Sequence, residues 1–141
     1  MSTMSESPLT YLPHRPPMVF VDAIESVDED AKTCECSWKI PEDFFLLEDG
    51  AIPEVVLIES MAQASACLKG WIDVRRGLPV KTGYLVAVNV SNFHEPPAAG
   101  DALSVHTEMI EEVSNYFQFK CAIKRSGDVV ADAVLGFMVA A

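Results

Sequence analysis

The sequence predicts an α+β domain, an antiparallel sheet wrapped around one long central helix. Three observations predict it. Residues 53–76 form one long stretch that is apolar on most sides, the mark of a helix buried on most of its faces. Residues 33–40 alternate cleanly between apolar and polar, the mark of a half-buried strand. Strand-like stretches stand on both sides of the helix with no second long helix, an order that suits a sheet covering one helix.

In chain order, residues 1–8 read as a disordered tip. Leu9 to Pro17 holds three prolines and should be irregular or briefly helical. Met18 to Ser26 is a short apolar strand candidate, and Asp28-Glu29-Asp30 is a turn. In the next strand Cys34, Cys36, Trp38 and Ile40 share one face, and Thr33, Glu35, Ser37 and Lys39 share the other. Pro41 ends it, and an acidic loop runs to Gly50. Pro53 suits the first helical position, Glu54 suits the positive end of the helix dipole, and Arg75 and Arg76 suit the negative end. Gly77, Pro79 and Gly83 mark the exit loop. Tyr84 to His94, Ala102 to Glu112 and Tyr116 to Lys124 read as strands. Ser126-Gly127-Asp128 is a hairpin turn into a last apolar strand, Val129 to Val139.

At 141 residues the chain fits a single domain spanning 1–141, with half its residues apolar. The apolar helix and covered strands suggest a homodimer. No apolar run reaches the length of a membrane span, and the first residues lack the basic and apolar regions of a secretory signal. The formal net charge of −11 argues against nucleic acid and anionic membrane as partners. The four cysteines, Cys34, Cys36, Cys67 and Cys121, form no Cys-x-x-Cys pair and no zinc-ligand spacing. They read as reduced, buried residues of a cytoplasmic protein, with no metal and no cofactor called for.

The most informative residue is Glu59, a carboxylate inside the apolar run Val55 to Leu68. Burying a carboxylate is costly unless it is paired, protonated or used. Its neighbours Val55, Val56 and Ala62 are expected to desolvate it and favour the protonated form, and Gln63, one helical turn on, is placed to orient it. His106 shares strand parity with Ser104 and Glu108 and reads as solvated. His94 reads as a strand-edge residue, and Arg15 as the partner of Asp22 in a local salt bridge or of a helix carbonyl, with a bound phosphate or carboxylate as the alternative.

Three segments resemble the hot-dog-fold β-hydroxyacyl-(acyl carrier protein) dehydratases. They are Leu12-Pro13-His14-Arg15 leading to Asp22, Glu59-Ser60-Met61-Ala62-Gln63, and Phe93-His94-Glu95-Pro96 leading to Gly100-Asp101. The resemblance implies a hot-dog fold and loss of water from a β-hydroxyacyl thioester in fatty-acid or polyene-like lipid synthesis. In that family a histidine of one subunit and an acid of its partner form the active site. Glu59 matches the acid, and backbone N–H groups at the helix start are candidates to polarise the thioester carbonyl. The family's Gly-His-Phe-Pro loop is absent, because 42–50 holds no histidine, and Pro-Gly at the helix start is Pro53-Glu54. The pattern is closer to a divergent subgroup, the dehydratase-like proteins of aryl polyene clusters, and His14 becomes the candidate base. The expected catalytic pair is therefore Glu59 and His14, closed across a dimer. Gln63, Val55, Val56, Phe44 and Phe45 are the candidate substrate-binding residues, and Arg75, Arg76 and Lys81 the candidate docking site for an acyl carrier protein. Two alternatives remain open: a hot-dog acyl thioesterase using Glu59 alone, and a non-catalytic subunit that pairs with another hot-dog protein.

Overall fold

The computed structural model describes residues 2–140. Seven strands form one antiparallel sheet: β1 (Ser2–Glu6), β2 (Ala23–Asp28), β3 (Thr33–Lys39), β4 (Gly83–Phe93), β5 (Ala102–Val113), β6 (Tyr116–Arg125) and β7 (Asp128–Val139). Their order across the sheet is β1-β2-β3-β5-β6-β7-β4. The helix α1 (Glu54–Arg75) lies on the sheet and packs most extensively against β5. This is the hot-dog arrangement expected from the sequence.

The alternation in 33–39 is used as expected. Cys34, Cys36 and Trp38 are buried under α1, while Glu35 and Ser37 face outward. On the inner face of the last strands, Phe119, Cys121, Ile123, Ala131, Ala133 and Leu135 meet Met61, Ala64, Cys67 and Leu68 in one core. All four cysteines are free and buried. Burial raises the pKa of the Cys121 thiol.

Two local expectations differ. Residues 2–6 of the expected disordered tip pair with β2 as an edge strand, and Pro8–Thr10 form a short 3-10 helix. Pairing partners decide an edge strand of this kind; polar Ser2-Thr3 carries no alternation to announce it. The strand expected from Met18 begins only at Ala23. Residues 18–20 are held by side chains of α1 instead: the Phe20 N–H donates to Gln63, and Ser60 donates to the Phe20 carbonyl.

At the other edge, β4 hydrogen-bonds to β7 on one side only. Tyr84, Leu85, Val86, Val88 and Val90 along it are all exposed in the single chain. An uncovered apolar edge of this length is a template for another strand.

Candidate active site

The site is built on one stripe of α1. Glu59, Ala62, Gln63, Ala66 and Lys69 recur at helical spacing and line a cavity of about 230 Å³. Two alanines leave the room. The opposite wall comes from the sheet: Phe119 of β6, Phe137 and Val139 of β7, and Gly83, Tyr84 and Leu85 of β4. Phe119 and Phe137 stand edge-to-face with centroids 5.5 Å apart. The wall is therefore apolar and aromatic, and polar groups gather at its rim.

His14 and Glu59 meet there. The imidazole Nε2 lies 3.2 Å from Glu59 Oε1. Both belong to one chain, whereas the sequence resemblance placed the pair across a dimer. The lead-in that carries His14 folds back over α1, with Tyr11 and Leu12 buried. Arg15 clasps this bend, donating to the carbonyls of Leu12 and His14, and so serves the local backbone.

Gln63 fixes the acid. It is fully buried, and its Oε1 accepts the Phe20 N–H at 2.7 Å. That contact forces its Nε2 toward Met18 O (2.9 Å) and Glu59 Oε1 (3.2 Å). A flipped amide would set donor against donor at Phe20, so the Glu59 contact is determined by the backbone of the lead-in. His14 Nδ1, in contrast, is buried with no hydrogen-bond partner. No hydrogen bond on that side fixes the tautomer of the ring.

Not every candidate residue comes to this cavity. Glu59 keeps 36% side-chain exposure, so the single chain does not supply the desolvation expected from the sequence. Val55 points away and is 70% exposed, and Val56 is in the core. Phe44 is buried in an aromatic cluster with Phe20 and Trp38, and the exposed Phe45 packs edge-on against Phe44. Both line a separate groove between 7–22 and 38–45. Of the basic trio, Lys81 lines the Glu59 cavity. Arg75 stacks 4.1 Å over the ring of Trp71, and Arg76 is exposed at the end of the helix. The sequence reading missed Ala66, Lys69, Tyr84, Phe119 and Phe137. Counting helical turns from Glu59 would have found the first two; the others need the sheet register. Lys69 pairs with Asp73 at 2.5 Å and lies 4.4 Å over the ring of Phe117.

Elsewhere, Glu35, Ser104 and His106 contact one another on the outer sheet face, with His106 Nε2 at 3.3 Å from Glu35. His106 is thus partly solvated as expected. His94 follows β4 and lies in a groove beside the start of α1. Among the described residues no group of His, Cys, Asp and Glu is arranged to hold a metal ion, and no helix is long and apolar enough to cross a membrane.

Comparisons with known proteins identify the family of the chain. The family model for ApeP-like dehydratases matches residues 6–140. The 3-hydroxyacyl-[acyl-carrier-protein] dehydratase FabZ of Levilactobacillus brevis is 32% identical over 137 residues, covering 94% of this chain and 90% of that protein. FabZ of Rhizobium etli is 31% identical over 134 residues, covering 91% and 83%. Among solved structures, the dehydratase heterocomplex ApeI:P from Xenorhabdus doucetiae superposes with a TM-score of 0.85 at 24% identity, covering 96% of this chain and 91% of that one. The E. coli PaaI protein shares the fold at a TM-score of 0.66 and 14% identity, covering 84% and 78%. Matched by this family model over nearly its whole length, the chain belongs to the ApeP-like dehydratase family.

Proposed function

We propose that the protein eliminates water from a 3-hydroxyacyl thioester carried by an acyl carrier protein, with His14 as base and Glu59 as acid. The observation that carries this reading is the 3.2 Å His14–Glu59 contact at the rim of an apolar cavity. His14 takes the proton beside the thioester carbonyl. The electron pair left behind forms the C=C bond, and the C–O bond at the next carbon breaks. Glu59 protonates the departing hydroxyl, and water leaves. The step adds one proton to His14 and removes one from Glu59. Their direct contact then resets both without help from solvent. No cofactor enters the balance. The buried free thiols favour a cytoplasmic setting.

The test is incubation with a 3-hydroxyacyl carrier protein and mass spectrometry of the acyl group. Loss of one water is expected, and Glu59→Gln is expected to slow it by at least roughly 100-fold. Equal turnover by the variant would remove Glu59 from the mechanism, and free acid without enoyl product would favour a thioesterase.

A second reading, assembly with another hot-dog chain, is favoured by the uncovered β4 edge and by the absence of a histidine in 42–50. A fold neighbour was solved as a dehydratase heterocomplex. Covering β4 also supplies the burial that Glu59 lacks in the single chain, because Gly83, Tyr84 and Leu85 line its cavity. Either a second copy or a related chain suits that edge. Activity seen only in a mixture with a second hot-dog protein supports the related chain; a robustly active homodimer excludes it. Arg75, Arg76 and Lys81 remain our candidates for carrier docking. They lie at the end of α1 and at the cavity mouth of a strongly acidic protein.

A further inference from the structure

The lead-in that carries His14 is clamped to α1 at two places, and His14 lies between them. The downstream clamp is Gln63 and Ser60 on residues 18–20. The upstream clamp is Tyr11 against Gly70. A Cβ at Gly70 would stand 2.9 Å from Tyr11 Cβ, 3.0 Å from Cδ1 and 3.2 Å from Cγ. Those atoms are the root of the side chain, so the ring cannot swing clear unless the backbone of the lead-in moves. Gly70 sits inside α1, where glycine is otherwise a poor choice. Its use there is the notch that it leaves. Tyr11 fills that notch, is almost fully buried, and is pinned from outside by donating its hydroxyl to Glu6 at 2.6 Å. Only Leu12 and Pro13 separate it from His14, and Pro13 removes one backbone freedom from the link. A shift at Tyr11 therefore reaches the imidazole nearly undamped.

We propose that Gly70 is a positioning residue. By seating Tyr11 it sets His14 against Glu59 of the same chain, although it lies eleven residues from Glu59, about 16 Å along the helix axis. The catalytic consequence rests on the dehydratase reading; the geometric claim does not.

The test reads His14 directly. In full-length protein labelled with ¹⁵N-histidine, the His14 imidazole nitrogens are followed at one fixed pH. Glu59→Gln is expected to shift them in the wild-type background. In Gly70→Ala, shown folded by its melting curve, the same substitution is expected to leave them unmoved, because the contact is already broken. Tyr11→Ala serves as a second variant that empties the notch without overfilling it, and it should show the same loss. Labelled Glu59→Gln chain mixed with unlabelled wild type is expected to keep the variant's resonances, since each His14 faces its own chain. A folded Gly70→Ala that retains the full response to Glu59→Gln overturns the proposal. So does recovery of wild-type resonances in the mixture. In the dehydration assay Gly70→Ala should lower kcat by roughly a hundredfold with KM little changed, the signature of a misplaced group. A wild type with no turnover would sink the dehydratase reading and leave the resonance test intact.

Discussion

Replacing Gln63 with Leu nearly preserves the side-chain volume and removes three hydrogen bonds together. Their costs are unequal. The Phe20 N–H belongs to a residue with 2% exposure, and no water reaches it once the amide is gone. Met18 is 46% exposed, so its carbonyl can recruit solvent, and the half-exposed Glu59 can do the same. One stranded buried donor costs about 1–3 kcal/mol, and we take ~2 kcal/mol as the loss for Q63L. An unfolding entropy of about 2.1 cal/mol/K per residue over 141 residues gives roughly 0.3 kcal/mol/K. The melting temperature should therefore fall by about 7 °C. Calorimetry of wild type and variant at matched concentration measures it, which keeps any assembly contribution equal. A shift of under about 1 °C would show that residues 18–20 do not depend on Gln63. The argument that its amide orientation is dictated by Phe20 would then fail.

Three further outcomes are expected. Glu59→Gln should keep the fold and melting curve but lower dehydration by roughly 100- to 10,000-fold, read by mass spectrometry of the acyl carrier. Asp101 accepts the Ala98 N–H and a charged Arg125 donor, each at 2.9 Å, and these contacts lower its pKa. A carboxyl lowered in the folded state adds stability that is fully present above its unfolded value of about 3.9 and is lost as pH falls through the lower folded value. Urea midpoints between about pH 5 and 3 should therefore drop less steeply for Asp101→Asn than for wild type; identical slopes would remove Asp101 from the acid response. Val88→Lys on the β4 edge should shift the chain toward monomer in sedimentation while leaving its circular dichroism unchanged, and unchanged sedimentation would mean that another surface carries assembly.

The helix and the six strands after the first twenty residues were legible because each carries a local signal, an alternation or an apolar run bounded by turn residues. Alternation at 33–40 and the apolar run at 55–68 are local signals, and burial uses both. The facing of α1 was not legible for the same reason that the helix was: a helix apolar nearly all round gives no stripe from which to read direction. Val55 and Val56 therefore drew attention, whereas the cavity is lined two and three turns further on, at Ala62 and Ala66. Glu59 breaks the apolar pattern and could be singled out. His14 lies 45 residues away in the chain, and only the fold-back of the lead-in makes the pair a contact within one subunit. Phe119 lies on the apolar face of its alternating strand and Phe137 in an apolar strand, but a strand's inner face does not tell the core from the wall of a cavity.

The open β4 edge bears on how the chain must be made. An exposed strand with five large apolar residues joins whichever strand arrives first, and a copy of itself in a non-native register is always the nearest candidate. Under the reading in which a related chain covers β4, production of this chain alone should favour aggregates and matched synthesis the ordered complex. The net charge of −11 slows the wrong encounters without closing the edge. The yield of correctly folded protein then depends on how fast β4 is covered as well as on the stability of the single chain.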